Sequence, residues 1–282
     1  MRIKIISDST SDLSQGLIEK HDIRIVRLSI ARGGEYLKDG SEITPRDIFE
    51  YFESGKGLCS TSAINTAEYT DVYNEELPNC DAIIHFIISS EMSACYQNAV
   101  VAAQEFDNVH VIDTRNLSTG MGHLVLDAAE MAAKGMAADE IVKAINALIP
   151  KVDASFVIDT LTYLHKGGRC SGVQKIAAGL LKLKPCIAVI DGKMSPVKKY
   201  RGSLKKVLQE YVEDKLADLS AIDPRRIFVT HSMKEDNREI VEMVKEMVTK
   251  TGHFQEIIET TAGSTVSCHC GPNTLGILFF NK

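Results

Sequence analysis

Four short polar turns carry the residues best suited to chemistry. They are "SDSTSDL" (Ser7 to Leu13), "CSTSAIN" (Cys59 to Asn65), "SSEMSACYQNA" (Ser89 to Ala99) and "DTRNLSTGMG" (Asp113 to Gly122). They are crowded with hydroxyls and nearly free of cations, and three of them follow apolar, strand-like runs. At a strand-to-helix junction, backbone N–H groups point into the crevice beyond the strand ends, where α/β proteins hold their ligands. Hydroxyls and amides without a cation suit a singly charged, partly shielded group such as a carboxylate better than a polyphosphate. Each charge-assisted hydrogen bond contributes roughly 1.5–3 kcal/mol, enough for two or three hydroxyls to orient a carboxylate. The competing use of such turns is helix capping, which Ser, Thr and Asp perform throughout proteins. Parallel strands would bring the C-terminal ends of several of these turns to one edge.

The second half of the chain adds cations and a histidine. "DTLTYLHKGGR" ends on Arg169 after two glycines, and "SPVKKYRGSLKKV" places Lys198, Lys199, Arg201, Lys205 and Lys206 close together in an otherwise acidic protein. Either could be no more than a solvated face. His269 stands in "CHCGPNTLGILFF", read as a tight Gly-Pro loop before a buried strand. Cys59, Cys95, Cys170, Cys268 and Cys270 all lie in or beside these loops, whereas Cys80 and Cys186 lie elsewhere. Thiolates with His269 form one alternative, a metal-binding or redox centre, but zinc sites favour a CxxC spacing that this chain lacks. Another alternative is an acyl hydrolase with Ser93 as nucleophile and His269 as base. There is no GxSxG elbow, no GxxxxGK[ST] phosphate loop and no GxGxxG after the first strand.

The surrounding elements follow from periodicity. The chain has 282 residues, 44% of them hydrophobic, and a formal net charge of −6. That length admits two domains, and the acidic balance argues against a nucleic-acid surface. No apolar run reaches membrane-spanning length. Seven cysteines without a disulfide-framework spacing fit a reducing, cytoplasmic setting. "IKIISD", "IRIVRLSI", "AIIHFIIS" and "VHVID" read as strands alternating with helices, hence a parallel sheet covered on both faces. Thr44, Pro45 and Asp47 announce a helix start. After Pro150 a hairpin signal at Asp191-Gly192 appears among further helices, predicting a mixed sheet. The expected architecture is two α/β domains, residues 1–150 and 151–282.

In order and spacing, "SDSTSDL", Thr61-Ser62, "SSEMSACYQNA", "VIDTRNLSTGMG", "DTLTYLHKGGR", "DGKMSPVKKYRG" and "HCGPNTLGILF" resemble the DegV family over essentially the whole chain. The resemblance implies a bacterial, non-enzymatic subunit that holds a long-chain fatty acid such as palmitate, oleate or stearate between two α/β domains. It further implies that a separate fatty acid kinase phosphorylates the presented carboxylate for phospholipid synthesis, with room for transient membrane contact. Neither a metal nor a further cofactor is implied. Carried over residue by residue, the resemblance puts the carboxylate-binding hydroxyls at Thr61, Ser62 or both and at Ser93, sets His269 near the head group, and matches Arg169 and Arg201 to arginines at the kinase-facing rim. The chain departs from the family's usual pattern at Ala94 after the serine, at Ala63-Ile64-Asn65 and at Cys270. On this reading the buried tail supplies the affinity, at about 0.8 kcal/mol per methylene, and the hydroxyls aim the head group.

Overall fold

The computed structural model describes residues 2–170 and 183–282. Strands β1 (Ile3–Asp8), β2 (Arg24–Val26), β6 (Ala82–Ile87) and β7 (Val109–Asp113) form a parallel sheet in the order β2-β1-β6-β7. Its central strand is buried along its whole length, so both faces must be covered. Alternation along β6 shows how. Ile83 and Ile87 pack with residues of α3 (Thr66–Glu76) and α4 (Cys95–Ala103). Ile84 and Phe86 face the other way, toward α5 (Ser118–Ala133) and α6 (Ala138–Leu148). A short helix, α1 (Gln15–Lys20), follows the first turn.

The second sheet is mixed and has six strands: β8 (Val152–Val157), β9 (Leu183–Ile190), β10 (Lys193–Arg201), β11 (Ile222–His231), β12 (Glu256–Thr261) and β13 (Leu275–Asn281). Its order is β10-β9-β8-β13-β11-β12, with only β11 and β12 parallel. Helices α8 (Leu204–Lys215) and α9 (Arg238–Lys250) cover one face through Val207, Tyr211, Val241 and Val244. Helix α5 meets the other face, where Leu124 and Ala128 share a core with Ala154, Phe228 and Leu278. Because α5 is pressed between two sheets, it is apolar nearly all round and lacks a polar stripe. The β9–β10 hairpin turns at Asp191-Gly192, both at positive φ (50° and 80°), the conformation that this pair favours.

Two expectations are corrected. "IRIVRLSI" is not one strand: it breaks after β2, and β3 (Ser29–Arg32) joins β4 (Glu35–Lys38) and β5 (Ser60–Ser62) in a separate antiparallel sheet ordered β4-β3-β5. At the break, the Leu28 N–H donates to Ser9 Oγ (3.2 Å) and the Leu28 carbonyl accepts from Asp39 N–H (2.9 Å). These tertiary bonds carry the chain away from the parallel sheet. His269 is not in a loop either. It occupies the last turn of α10 (Ser264–Cys270). The first N–H groups of α10 are capped by Asp39, at 2.8 Å from Ser264 and 3.3 Å from Thr265, a partner too distant in sequence to announce the helix. Helix α2 (Pro45–Glu53) begins as expected, with a capping box between Thr44 and Asp47. The short α7 (Thr162–Gly167) ends at Gly168 in the left-handed conformation.

Candidate functional site

The three-stranded sheet, the turn before α4 and the last turn of α10 meet around a cavity of about 170 Å³. Thr61, Ser93, Arg169 and His269 line it together with apolar side chains that include Leu28, Ile88, Met92 and Met194. Leu117, Val266 and Cys270 form a wall shared with a second, smaller void of about 30 Å³. That void is bounded by Ala154, Phe156, Val189 and Leu278 from the mixed sheet. The polar atoms that also reach it are already bonded. Ser118 Oγ donates to Asp12 (2.5 Å), Thr274 Oγ1 donates to the Cys270 carbonyl (3.0 Å), Thr230 Oγ1 pairs with Thr119 (2.6 Å), and His231 is held between Glu259 (3.3 Å) and the Met233 N–H (3.2 Å). The void therefore presents saturated surface, which suits hydrocarbon.

The polar part of the cavity differs. Strand alternation on β5 turns Thr61 inward, where its Oγ1 lies 2.9 Å from His269 Nε2. Burial, aided by nearby Arg169, pulls the His269 pKa down to about 4, so the imidazole is neutral at pH 7. Its Nδ1 is buried and has no hydrogen-bond partner among the described residues. The reason is Gly167: a Cβ there would stand 2.4 Å from Nδ1, so only glycine lets the ring close onto the end of α7. Ser93 Oγ accepts from Cys95 N–H at 3.2 Å, which caps α4. Its own hydroxyl reaches only the Cys95 thiol, a weak acceptor, among the described residues. Arg169 is exposed and donates to the Gly167 carbonyl (2.8 Å), which sets its guanidinium at the cavity margin.

Of the residues singled out in the sequence, Thr61, Ser93, Arg169 and His269 are thus brought together. Ser62, next to Thr61 on β5, is not among the cavity-lining residues. Arg201 is exposed and borders another cleft with Asp159, Lys184 and Ser203. Ser89 and Ser90 of the turn before α4 are structural: Ser89 Oγ donates to the Gly192 carbonyl (2.7 Å) and Ser90 Oγ to Asp113 (2.6 Å). Gly192 is required for that approach, since a Cβ would meet Ser89 Oγ and Arg115 at 2.7 Å.

Sequence reasoning missed the acidic node that braces the site. Asp8 accepts from the Thr10 and Ile88 N–H groups (2.9 and 2.7 Å), and Asp12 from the Gly263 N–H (2.8 Å). Asp39 accepts from Ser9 Oγ (2.9 Å) and Thr265 Oγ1 (2.7 Å) as well as from the start of α10. Burial raises Asp8 to about 6 and Asp12 to about 8. A signal for Asp8 and Asp12 was present, two acids in one hydroxyl turn; nothing local pointed to Asp39.

A sequence profile of the family described as "Uncharacterised protein, DegV family" matches residues 2–282. The chain belongs to the DegV family. A DegV domain-containing protein of Caldanaerobacter subterraneus is 32% identical, the match covering 100% of this chain and 99% of the relative. Among solved structures, a DegV family protein of Thermus thermophilus, described for its fatty acid binding, superposes with a TM-score of 0.92 at 31% identity over 100% of both chains. A stearic acid-binding protein from Eubacterium ventriosum gives 0.84 at 26% identity, over 99% of this chain and 98% of that one. The DegV fold thus accounts for the whole chain, and DegV relatives bind fatty acids. Among the described residues no group of three or more His, Cys, Asp or Glu is arranged to hold a metal ion. Nor is any helix among them long and apolar enough to cross a membrane.

Proposed function

We propose that this protein binds a long-chain fatty acid and presents its carboxylate to a separate fatty acid kinase, which forms the acyl phosphate used in phospholipid synthesis. The observation that carries this reading is the division of one cavity into a hydroxyl-bearing part, with Thr61, Ser93 and His269, and an apolar part leading to a saturated second void. Relatives described as binding fatty acids support it. A neutral His269 that donates from Nε2–H to Thr61 Oγ1 leaves the Thr61 hydroxyl hydrogen for a ligand. Together with Ser93 this provides two donors for one carboxylate, while burial of the tail, at about 0.8 kcal/mol per methylene, provides the affinity.

The protein itself acts as a carrier. A base needs an orienting acid, and His269 Nδ1 faces Gly167 with no carboxylate beside it among the described residues. Chemistry on the head group then falls to the partner. Arg169 at the margin and Arg201 on its separate cleft are suited to dock an acidic kinase surface or steady a transferred phosphoryl group, since guanidinium forks bind both bidentately. Loading would involve transient contact with a membrane in the cytoplasm. We also read two domains, 1–150 and 151–282, because among the described residues every strand pairing joins strands on the same side of Pro150. Native mass spectrometry of the purified protein tests the ligand directly: a roughly equimolar long-chain fatty acid is expected. Lipid-free protein that gains no thermal stability from any C14 to C20 acid would overturn the reading, because a ligand bound to the folded state must raise its stability.

A further inference from the structure

Two thiols sit directly behind the head-group residues. Cys59 precedes Thr61 by two positions on the approach to β5, and Cys268 immediately precedes His269 on α10. Both are buried, 7% and 3% exposed, in one small cluster with Ile30, Phe49 and Tyr163. Each is the chief influence on the other's titration, which sets the two thiols side by side in that cluster, and neither is in a disulfide. The same two segments touch a second time, through the Thr61–His269 hydrogen bond (2.9 Å). Cys59 also ends an exposed stretch, Ser54 to Gly57, in which Gly55 and Gly57 both hold positive φ (78° and 106°). Such a segment is the natural place for local opening that admits a small oxidant.

We propose that Cys59 and Cys268 form a reversible disulfide that bolts β5 to α10 beside the head-group site and so makes release of the bound fatty acid redox-dependent. The effect on release rests on the fatty-acid reading given above; the disulfide does not. The oxidant is a peroxide. The Cys59 sulfur attacks one peroxide oxygen, forming an S–O bond as the O–O bond breaks, and one water leaves. The Cys268 sulfur then attacks the Cys59 sulfur, forming S–S as S–O breaks, and the second water departs. Two thiols lose two electrons and two hydrogens, and one hydrogen peroxide becomes two waters. A cellular dithiol reverses the step by exchange and is itself oxidised. The order of attack follows from the shared contact. The Cys268 thiol donates to Cys59, which holds Cys59 below the usual thiol range and pushes Cys268 above it, so Cys59 is the nucleophile. In the reduced state the two walls are latched by individually weak hydrogen bonds; the oxidised state makes the latch covalent.

The test uses the whole protein, first exhaustively reduced and then treated with stoichiometric hydrogen peroxide. Peptide mapping should find Cys59 joined to Cys268, with the intact mass lower by two hydrogens and restored by dithiothreitol. Release of a fluorescent C16 fatty acid should slow at least fivefold on oxidation, recover on reduction, and show no response in Cys59→Ser. Since Cys59→Ser places a hydroxyl in an apolar cluster, oxidised and re-reduced wild type provides the comparison if that variant folds poorly. Mapping that finds both thiols still reduced after Cys80 has reacted overturns the proposal. So does a crosslinked protein whose release rate stays within twofold of the reduced form. A crosslink in protein that takes up no fatty acid in either state would instead leave the disulfide standing and remove the function assigned to the cavity.

Discussion

Two polar clusters lie close together in this fold, are built from the same residue types, and have opposite fates. Around Asp8, Asp12 and Asp39, the hydroxyls of Ser9, Ser118 and Thr265 and the N–H groups of Thr10, Ile88, Gly263 and Ser264 are consumed by carboxyl groups. Around the cavity, among the described residues, Thr61 is bonded only to a neutral imidazole, and the Ser93 hydroxyl has only the weakly accepting Cys95 thiol to donate to. The lesson concerns donors. A serine or threonine beside a buried acid is structural cement, whereas one whose hydrogen remains unspent in a cavity is available to a ligand. The acid node costs stability when disturbed; the cavity hydroxyls should cost affinity.

The harshest way to break this contrast is Asp39→Ala. It strips the cap from α10 and leaves several buried donors without an acceptor, each costing about 1–3 kcal/mol. Chemical denaturation should report a loss on the order of 3 kcal/mol or more, with lipid retention falling only because α10 and His269 are displaced. A loss below about 1 kcal/mol would mean that the node is not what braces the site.

Ser93→Ala should behave in the opposite sense. Fatty-acid binding should weaken by roughly 1.5–3 kcal/mol, read by titration, while the lipid-free protein loses less than about 1 kcal/mol through the missing cap to α4. Thr61→Val, which keeps the shape and removes the hydroxyl, should follow the same pattern. An affinity within twofold of wild type for Ser93→Ala would show that the carboxylate lies elsewhere.

A pH series sharpens the comparison from the side of the node. Burial raises Asp8 to about 6 and Asp12 to about 8 in the folded protein, from an ordinary value near 3.8. As pH rises above about 4, the unfolded chain releases these protons first, so the contribution of both groups to stability is lost through about pH 6 and pH 8. Asp12→Asn imitates the protonated acid: it can still accept from Gly263 and meet the Ser118 hydroxyl. Its stability relative to wild type should therefore improve steadily between pH 4 and 8, as measured by thermal melts. A flat difference would show that Asp12 titrates normally. His269, neutral above a pKa of about 4, should impose no step in lipid affinity near pH 6.5.

The smallest effect on binding is expected from Arg201→Ala, since Arg201 borders the cleft with Lys184 and Asp159 and not the lipid cavity. Retention of fatty acid should stay within twofold, while acyl-phosphate formation with kinase and ATP falls at low salt and the defect narrows as salt screens the wild type as well. Loss of the lipid, or wild-type turnover at low salt, would remove Arg201 from the partner-facing role.

Much was legible along the chain because its causes are local. The unbroken apolar run of β6 marks a strand needing cover on both faces, Thr44-Pro45 and Asp47 start α2, and Asp191-Gly192 turns a hairpin; in each case the signal lies within a few residues. The motif order likewise marks Thr61, Ser93, Arg169 and His269 as candidates, with Ser62 and Arg201 beside them. What local sequence could not give is which hydroxyls remain unspent. Ser89 is tied to Gly192 across the molecule, and Ser118 to Asp12. The α10 cap comes from Asp39, and the orphaned Nδ1 of His269 exists because Gly167 covers it. Sequence determined the strands and helices whose signals lie between neighbours, but not the break between β2 and β3 or the start of α10, which distant partners set. Tertiary structure alone decided which donors were satisfied and which were left for a ligand, because a hydrogen bond can be spent on any partner that folding brings within about 3 Å.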